Sequence, residues 1–182
     1  MPETSVAKLG WLLLLAVPAV APASDVPKGW HEFASARGGY VAYYPDSWHV
    51  LEPGLATLYI CSFPVSQAVR AVIVPENGAT ISIASPPVGT RDIEHWVASD
   101  TAAHRVRSRK QVTLQRSEPN PPLRVTEVIF ESIEGPDTTS WYFAISGHIL
   151  VANLSYWRGD PNEAKYRRVL RGMLAIIAPL GR

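Results

Sequence analysis

Four extended segments with short connections between them dominate the second half of the sequence. Alternation of apolar and polar residues predicts strands over Lys110–Arg116, Leu123–Ile133, Thr139–Ser146 and Ile149–Trp157. The first two gaps are Glu118-Pro119-Asn120-Pro121-Pro122 and Glu134-Gly135-Pro136-Asp137. A parallel pair needs a crossover of about a dozen residues, so strands joined this tightly must lie antiparallel. A helix then follows. Tyr166, Val169, Leu170, Met173, Leu174 and Ile177 form an apolar stripe at helical spacing, and Pro179 ends the run. Such a stripe has to be buried, and the preceding sheet is the available surface. The fold class is therefore α+β: an antiparallel sheet flanked by helices.

The helix start is well marked. Asp160 is placed to cap it, Pro161 suits the first helical position and Glu163 completes a capping-box arrangement. Glu163 and Arg167 stand four apart in the favourable orientation, worth about 0.2–0.5 kcal/mol. Earlier in the chain, strands are expected at Trp30–Ala36 and Tyr40–Tyr44 around Arg37-Gly38-Gly39, then at Trp48–Leu51 and Thr57–Phe63. Asn77-Gly78 signals a hairpin between Ala71–Val74 and Thr80–Ile83, because both residues tolerate positive φ. A first helix is expected from Asp92 to His104, with Ile93, Trp96 and Val97 on one face.

The N-terminus has a different character. Lys8 precedes an apolar run from Leu9 to Ala16, Pro18 breaks it, and Ala21-Pro22-Ala23 supplies small residues for a signal peptidase. Charge, apolar core and small-residue site in that order form the secretory pattern. A spanning helix needs about 20 apolar residues, more than this run offers. No cysteine follows it to carry a lipid, and no Arg-Arg pair marks the twin-arginine route. The expectation is cleavage after Ala23, leaving residues 24–182 as one domain without a stable membrane anchor, in the periplasm or outside the cell.

Composition sets limits on partners. The formal net charge is +1, with 17 Lys and Arg against 16 Asp and Glu, which gives no support for nucleic-acid binding. Sixteen prolines imply many rigid connections. Cys61 is the single cysteine, so no internal disulfide can form, and its strand-like surroundings mark it as a small core side chain.

Reactive constellations are sparse. There is no G-x-S-x-G elbow and no phosphate-cradling Gly-rich loop. Asp92, Glu94 and His95 would leave a helix in different directions, while Asp100 and His104 share a face but make only a pair. His31, His49 and His148 fall at strand edges or turns. Glu127 and Glu131 are expected on the outward face of one half-exposed strand. Asn153-Leu154-Ser155 matches a glycosylation acceptor but lies inside a predicted strand. No catalytic residue, metal site or cofactor is expected.

Two polar or aromatic groupings stand out. His104-Arg105-Val106-Arg107-Ser108-Arg109-Lys110, if extended, aims Arg105, Arg107 and Arg109 to one side as an anion-attracting stripe. Positive charge on a strand edge also guards against aggregation. Arg105, Arg107, Arg109 and Lys110 are the candidate partner surface. Aromatic residues concentrate at Tyr40, Tyr43, Tyr44 and Trp48 and at Trp141, Tyr142, Tyr156 and Trp157, as core packing or as a partner-binding patch.

Gly39-Tyr40-Val41-Ala42-Tyr43-Tyr44-Pro45-Asp46-Ser47-Trp48 resembles the Gly-aromatic-x-x-x-Tyr-Pro-x-x-Trp opening of PsbP-like proteins. The ending is similar too: a strand closing on Tyr156, then a helix with Tyr166 leading to Met173-Leu174-Ala175-Ile176-Ile177. That superfamily includes the extrinsic photosystem II subunit, a Ran-binding nuclear transport factor and many exported bacterial proteins of unknown role. The resemblance implies an α/β/α sandwich and a binding or assembly role rather than catalysis. Nothing matches a photosystem-specific segment. The functional expectation is an exported, non-enzymatic module that binds another envelope or secreted protein. A small-ligand or lipid carrier with an aromatic-lined cavity, and a hydrolase assembled from distant residues, are the alternatives.

Overall fold

The computed structural model describes residues 26–51, 57–64, 74–116, 118 and 120–181. Leu9–Ala23, the cleavage site and most of the expected strand Ala71–Val74 lie outside them. Among the described residues the elements run β1 (Trp30–Ser35), β2 (Tyr40–Pro45), β3 (His49–Leu51), β4 (Thr57–Cys61), β5 (Ala79–Ala84), α1 (Ile93–Ala103), β6 (Val106–Leu114), β7 (Leu123–Phe130), β8 (Asp137–Ile145), β9 (His148–Tyr156), α2 (Glu163–Ile176) and β10 (Ala178–Pro179).

Seven strands form one sheet in the order β3-β4-β5-β9-β8-β7-β6, with every neighbour antiparallel. The short connections enforce this: Ser146-Gly147 alone turns β8 into β9, and both residues take positive φ. β5 lies between β4 and β9, so both its edges are occupied. The Asn77-Gly78 turn exists, with Asn77 at φ 62, while residues 71–73 of the expected hairpin lie outside the described residues. A second, three-stranded sheet orders β1-β2-β10. Its β1–β2 turn passes through Gly39 at φ +69, where a Cβ would come within 2.6 Å of the His148 ring.

The two faces of the large sheet are covered by different elements. Leu58, Ile60, Ile81, Ile83, Trp141, Phe143, Leu154 and Tyr156 pack with the α2 stripe and the small sheet into the main core. On the other face, Trp96 and Val97 of α1 meet Val128, Tyr142 and Val151. Period-two alternation along the strands supplies both faces at once. The result is an α+β sandwich with helices on either side of an antiparallel sheet, as expected. Among the described residues no helix is long and apolar enough to cross a membrane.

Aromatic side chains join the layers. Trp48 lies edge-on to Tyr166 at 6.2 Å. The Tyr40 hydroxyl donates to Ile83 O at 2.8 Å and accepts from Leu58 N at 3.1 Å, fastening the small sheet to β4 and β5. Burial pushes that hydroxyl up to about 12.

The start of α2 differs from the expected cap. Glu163 is the first helical residue and Asn162 holds the cap position without a side-chain bond. Asp160 instead accepts from Asn162 N at 2.7 Å, closing a turn just ahead of the helix. Glu163 is drawn away from a capping box by the Tyr156 hydroxyl and Arg167, each at 2.8 Å. The expected pairing of Glu163 with Arg167 is present.

Candidate functional site

β6 forms one edge of the large sheet and is its most exposed strand. It runs nine residues and, among the described residues, pairs only with β7. Its register shifts between Val106 and Ser108, so Arg107 is the extra residue of a bulge. A bulge reverses the in–out alternation beyond it. Arg107 therefore reaches Asp137 on β8 at 2.8 Å, whereas Arg109 reaches Glu94 on α1. Arg105 pairs with Glu131 at 2.9 Å and Lys110 with Glu127 at 3.1 Å. The structure thus brings the four predicted residues onto one edge but splits them between the two faces. All four keep substantial exposure, with side chains 40% to 70% accessible.

Two carboxylates beneath this edge are buried. Glu127 and Asp137 are each only 2% exposed, so the outward placement expected for Glu127 is wrong. In β7, Glu127 lies opposite Trp141 on the side covered by α2. Its Oε2 accepts from the Trp141 indole N–H at 2.7 Å and lies 3.7 Å from Arg167, while Lys110 holds Oε1. A carboxylate can stay there because each oxygen is compensated. Arg158 donates to Asp137 through Nε and Nη2 at 3.2 and 3.0 Å, and Ser132 N adds a bond at 3.2 Å. Burial alone would raise the Asp137 carboxyl; the Arg158 and Ser132 bonds, with the charges of Arg158 and Arg107, outweigh it and hold it low. Arg158 also reaches Glu131 at 2.8 Å. At Glu163 the same contest, between burial and the bonds from Arg167 and Tyr156, again ends below the ordinary carboxylate range.

The arrangement is a continuous belt of paired charge, running from β6 across β7 and β8 to α2. Residues 105–182 hold twelve Lys and Arg against seven Asp and Glu, while residues 1–104 hold five against nine. The balance near zero therefore conceals a basic half that includes this edge.

The remaining candidates separate. Asp100 is committed to the Tyr142 hydroxyl at 2.6 Å, and His104 reaches the backbone carbonyl of Asp100 rather than its carboxylate. Among the described residues no group of three His, Cys, Asp or Glu could hold a metal ion. Cys61 is fully buried, which pushes its thiol up to about 11. Tyr40, Tyr43, Trp48, Trp141, Tyr142 and Tyr156 are buried as core, while Tyr44 and Trp157 are half-buried. Asn153 is engaged with Ser140 and Ser82 across the sheet.

No protein-family model and no curated protein matches this chain. Solved structures show weak likenesses. The solution structure of cyanobacterial PsbP from Synechocystis shares 10% identity at a TM-score of 0.47, covering 91% of this chain and 98% of that one. A Bacteroides thetaiotaomicron protein shares 14% identity at 0.46, covering 81% of this chain; the match spans 47% of that longer chain. A Pseudomonas aeruginosa protein of unknown function shares 13% identity at 0.40, covering 78% and 94%.

Proposed function

We propose that this chain is an exported, non-enzymatic module that docks another envelope or secreted protein along the basic edge formed by β6. The carrying observation is that edge itself. It is a nine-residue strand with no strand on its outer side among the described residues, lined by Arg105, Arg107, Arg109 and Lys110. An unpaired strand edge offers backbone hydrogen bonds to an added segment. Cations along it select for acidic partners and raise encounter rates more than they raise affinity. The buried carboxylates position those cations without removing their outer surfaces from solvent. Export is supported by the charge, apolar run and small-residue site at Lys8–Ala23.

Affinity capture of the mature protein from its native envelope tests this reading, with mass spectrometry of both the captured material and the bait. The expected result is a stoichiometric protein partner released by salt, and a bait beginning after Ala23. Recovery of lipid in stoichiometric amount without any protein partner would overturn docking in favour of a carrier. An intact Met1 on exported protein would overturn the leader.

A further inference from the structure

The two halves of β6 differ, and the difference bears on how a partner sits there. A long strand edge invites unwanted pairing, and proteins guard such edges with charge or bulges. On β6 both guards fall in the N-terminal half: the bulge at Arg107 and the cations Arg105, Arg107, Arg109 and Lys110. Gln111-Val112-Thr113-Leu114-Gln115 carries neither charge nor proline. Its ladder with β7 is unbroken, from Gln111 opposite Thr126 to Leu114 opposite Leu123. The Gln111 side chain donates toward β7, to Thr126 Oγ1 at 2.9 Å, and no residue of β6 is buried. Valine and threonine favour extended backbone. This half is therefore a regular, uncharged template with no strand on its outer side among the described residues.

We propose that the partner contributes an extended segment that adds to β6 as an antiparallel strand. Its first half is neutral and β-branched and lies against Gln115–Gln111; its second half is acidic and lies against Lys110–Arg105. This rests on the docking reading above and specifies its geometry. Antiparallel pairing is the more stable direction per residue, and it fixes the order of the two halves. The acidic run is continuous because the cations occupy both faces, Arg107 and Lys110 on the side of Asp137 and Glu127, Arg109 on the side of Glu94. A second copy of this chain fits the edge badly. Antiparallel pairing of Val106–Leu114 with itself sets Lys110 opposite its own equivalent, where like charges repel.

The test is an NMR titration of the isotope-labelled protein with the capped peptide Thr-Val-Thr-Val-Glu-Glu-Glu and with its reverse, Glu-Glu-Glu-Val-Thr-Val-Thr. The first should bind saturably, with downfield amide-proton shifts at alternate residues of Gln111–Gln115, since only alternate residues of an edge strand aim their N–H groups outward. The reverse order should bind about tenfold more weakly. N-methylating alternate residues of the first peptide should weaken it about tenfold in one phase, the loss of one or two backbone hydrogen bonds, and little in the other. Sedimentation of the protein alone should show a monomer. No binding, equal binding of the two orders, or equal effects of the two methylation phases would each overturn strand addition. A dimer that shifts the same amides would overturn it too, by making the occupant a second copy. Docking itself is decided by capture from the envelope: a salt-released partner there, with equal binding of both peptide orders here, would leave docking standing and remove the added strand.

Discussion

The indole N–H of Trp141 donates to Glu127 Oε2 at 2.7 Å, across adjacent strands and beneath α2. Both side chains are buried, and Lys110 and Arg167 supply the opposing charge. Removing the carboxylate strands the buried indole donor and takes away one of the two carboxylate partners of Arg167. Glu127→Ala should therefore cost about 1–3 kcal/mol. Lys110→Ala, at a side chain 61% exposed, should cost under about 1 kcal/mol. Urea unfolding of the two variants measures both, and equal losses would contradict the asymmetry.

Asp137 and Glu163 make stability fall in acid. Both carboxyls are held below their ordinary values in the folded state, so the unfolded chain binds protons first as pH drops. Their contribution is present above the unfolded value of about 4 and is lost as pH falls through the lower folded value. Melting temperature should decline steeply below about pH 4. Asp137→Asn should be less stable at pH 7 and show a shallower acid decline. A parallel decline in protein and variant would show that Asp137 does not contribute.

Trp48 seals the contact between the turn after β2 and α2. Its ring is 4% exposed and edge-on to Tyr166. Trp48→Ala should cost about 3–5 kcal/mol through cavity formation. An unchanged melting curve would contradict this packing.

Cys61 should be chemically silent in the native protein. It is fully buried, with a thiol pKa pushed up to about 11, leaving almost no thiolate at neutral pH. Iodoacetamide should label it only after unfolding. Rapid labelling under native conditions would show that the strand opens there.

Much of the architecture was legible because it rests on local periodicity. Tyr166, Leu170, Met173 and Leu174 of the α2 stripe, with Ile177 just beyond it, are buried as spaced, and Val169 packs partly buried beside them; the short strand connections dictated antiparallel pairing. The charged site was only half legible. Arg105, Arg107, Arg109 and Lys110 were visible as a cluster, but the bulge at Arg107 sends Arg109 to the other face. No residue type announces a bulge there. Glu127 was misplaced because its burial depends on Trp141, Lys110 and Arg167, three partners from three other elements. Asp160 and Glu163 show the same limit: both were recognised near the helix start, yet tertiary partners redirected the Glu163 carboxylate.

Site-specific photocrosslinking tests the docking edge most directly. A crosslinking residue replaces Ser108, exposed on β6, or Val88, exposed in the connection between β5 and α1. A discrete protein adduct is expected in the native envelope from position 108 and none from 88. Arg105→Glu with Arg109→Glu should abolish that adduct while leaving the melting temperature nearly unchanged, since both arginines are exposed and Glu131 keeps its pairing with Arg158. Equal crosslinking from the two positions, or an adduct that survives both charge reversals, would contradict it.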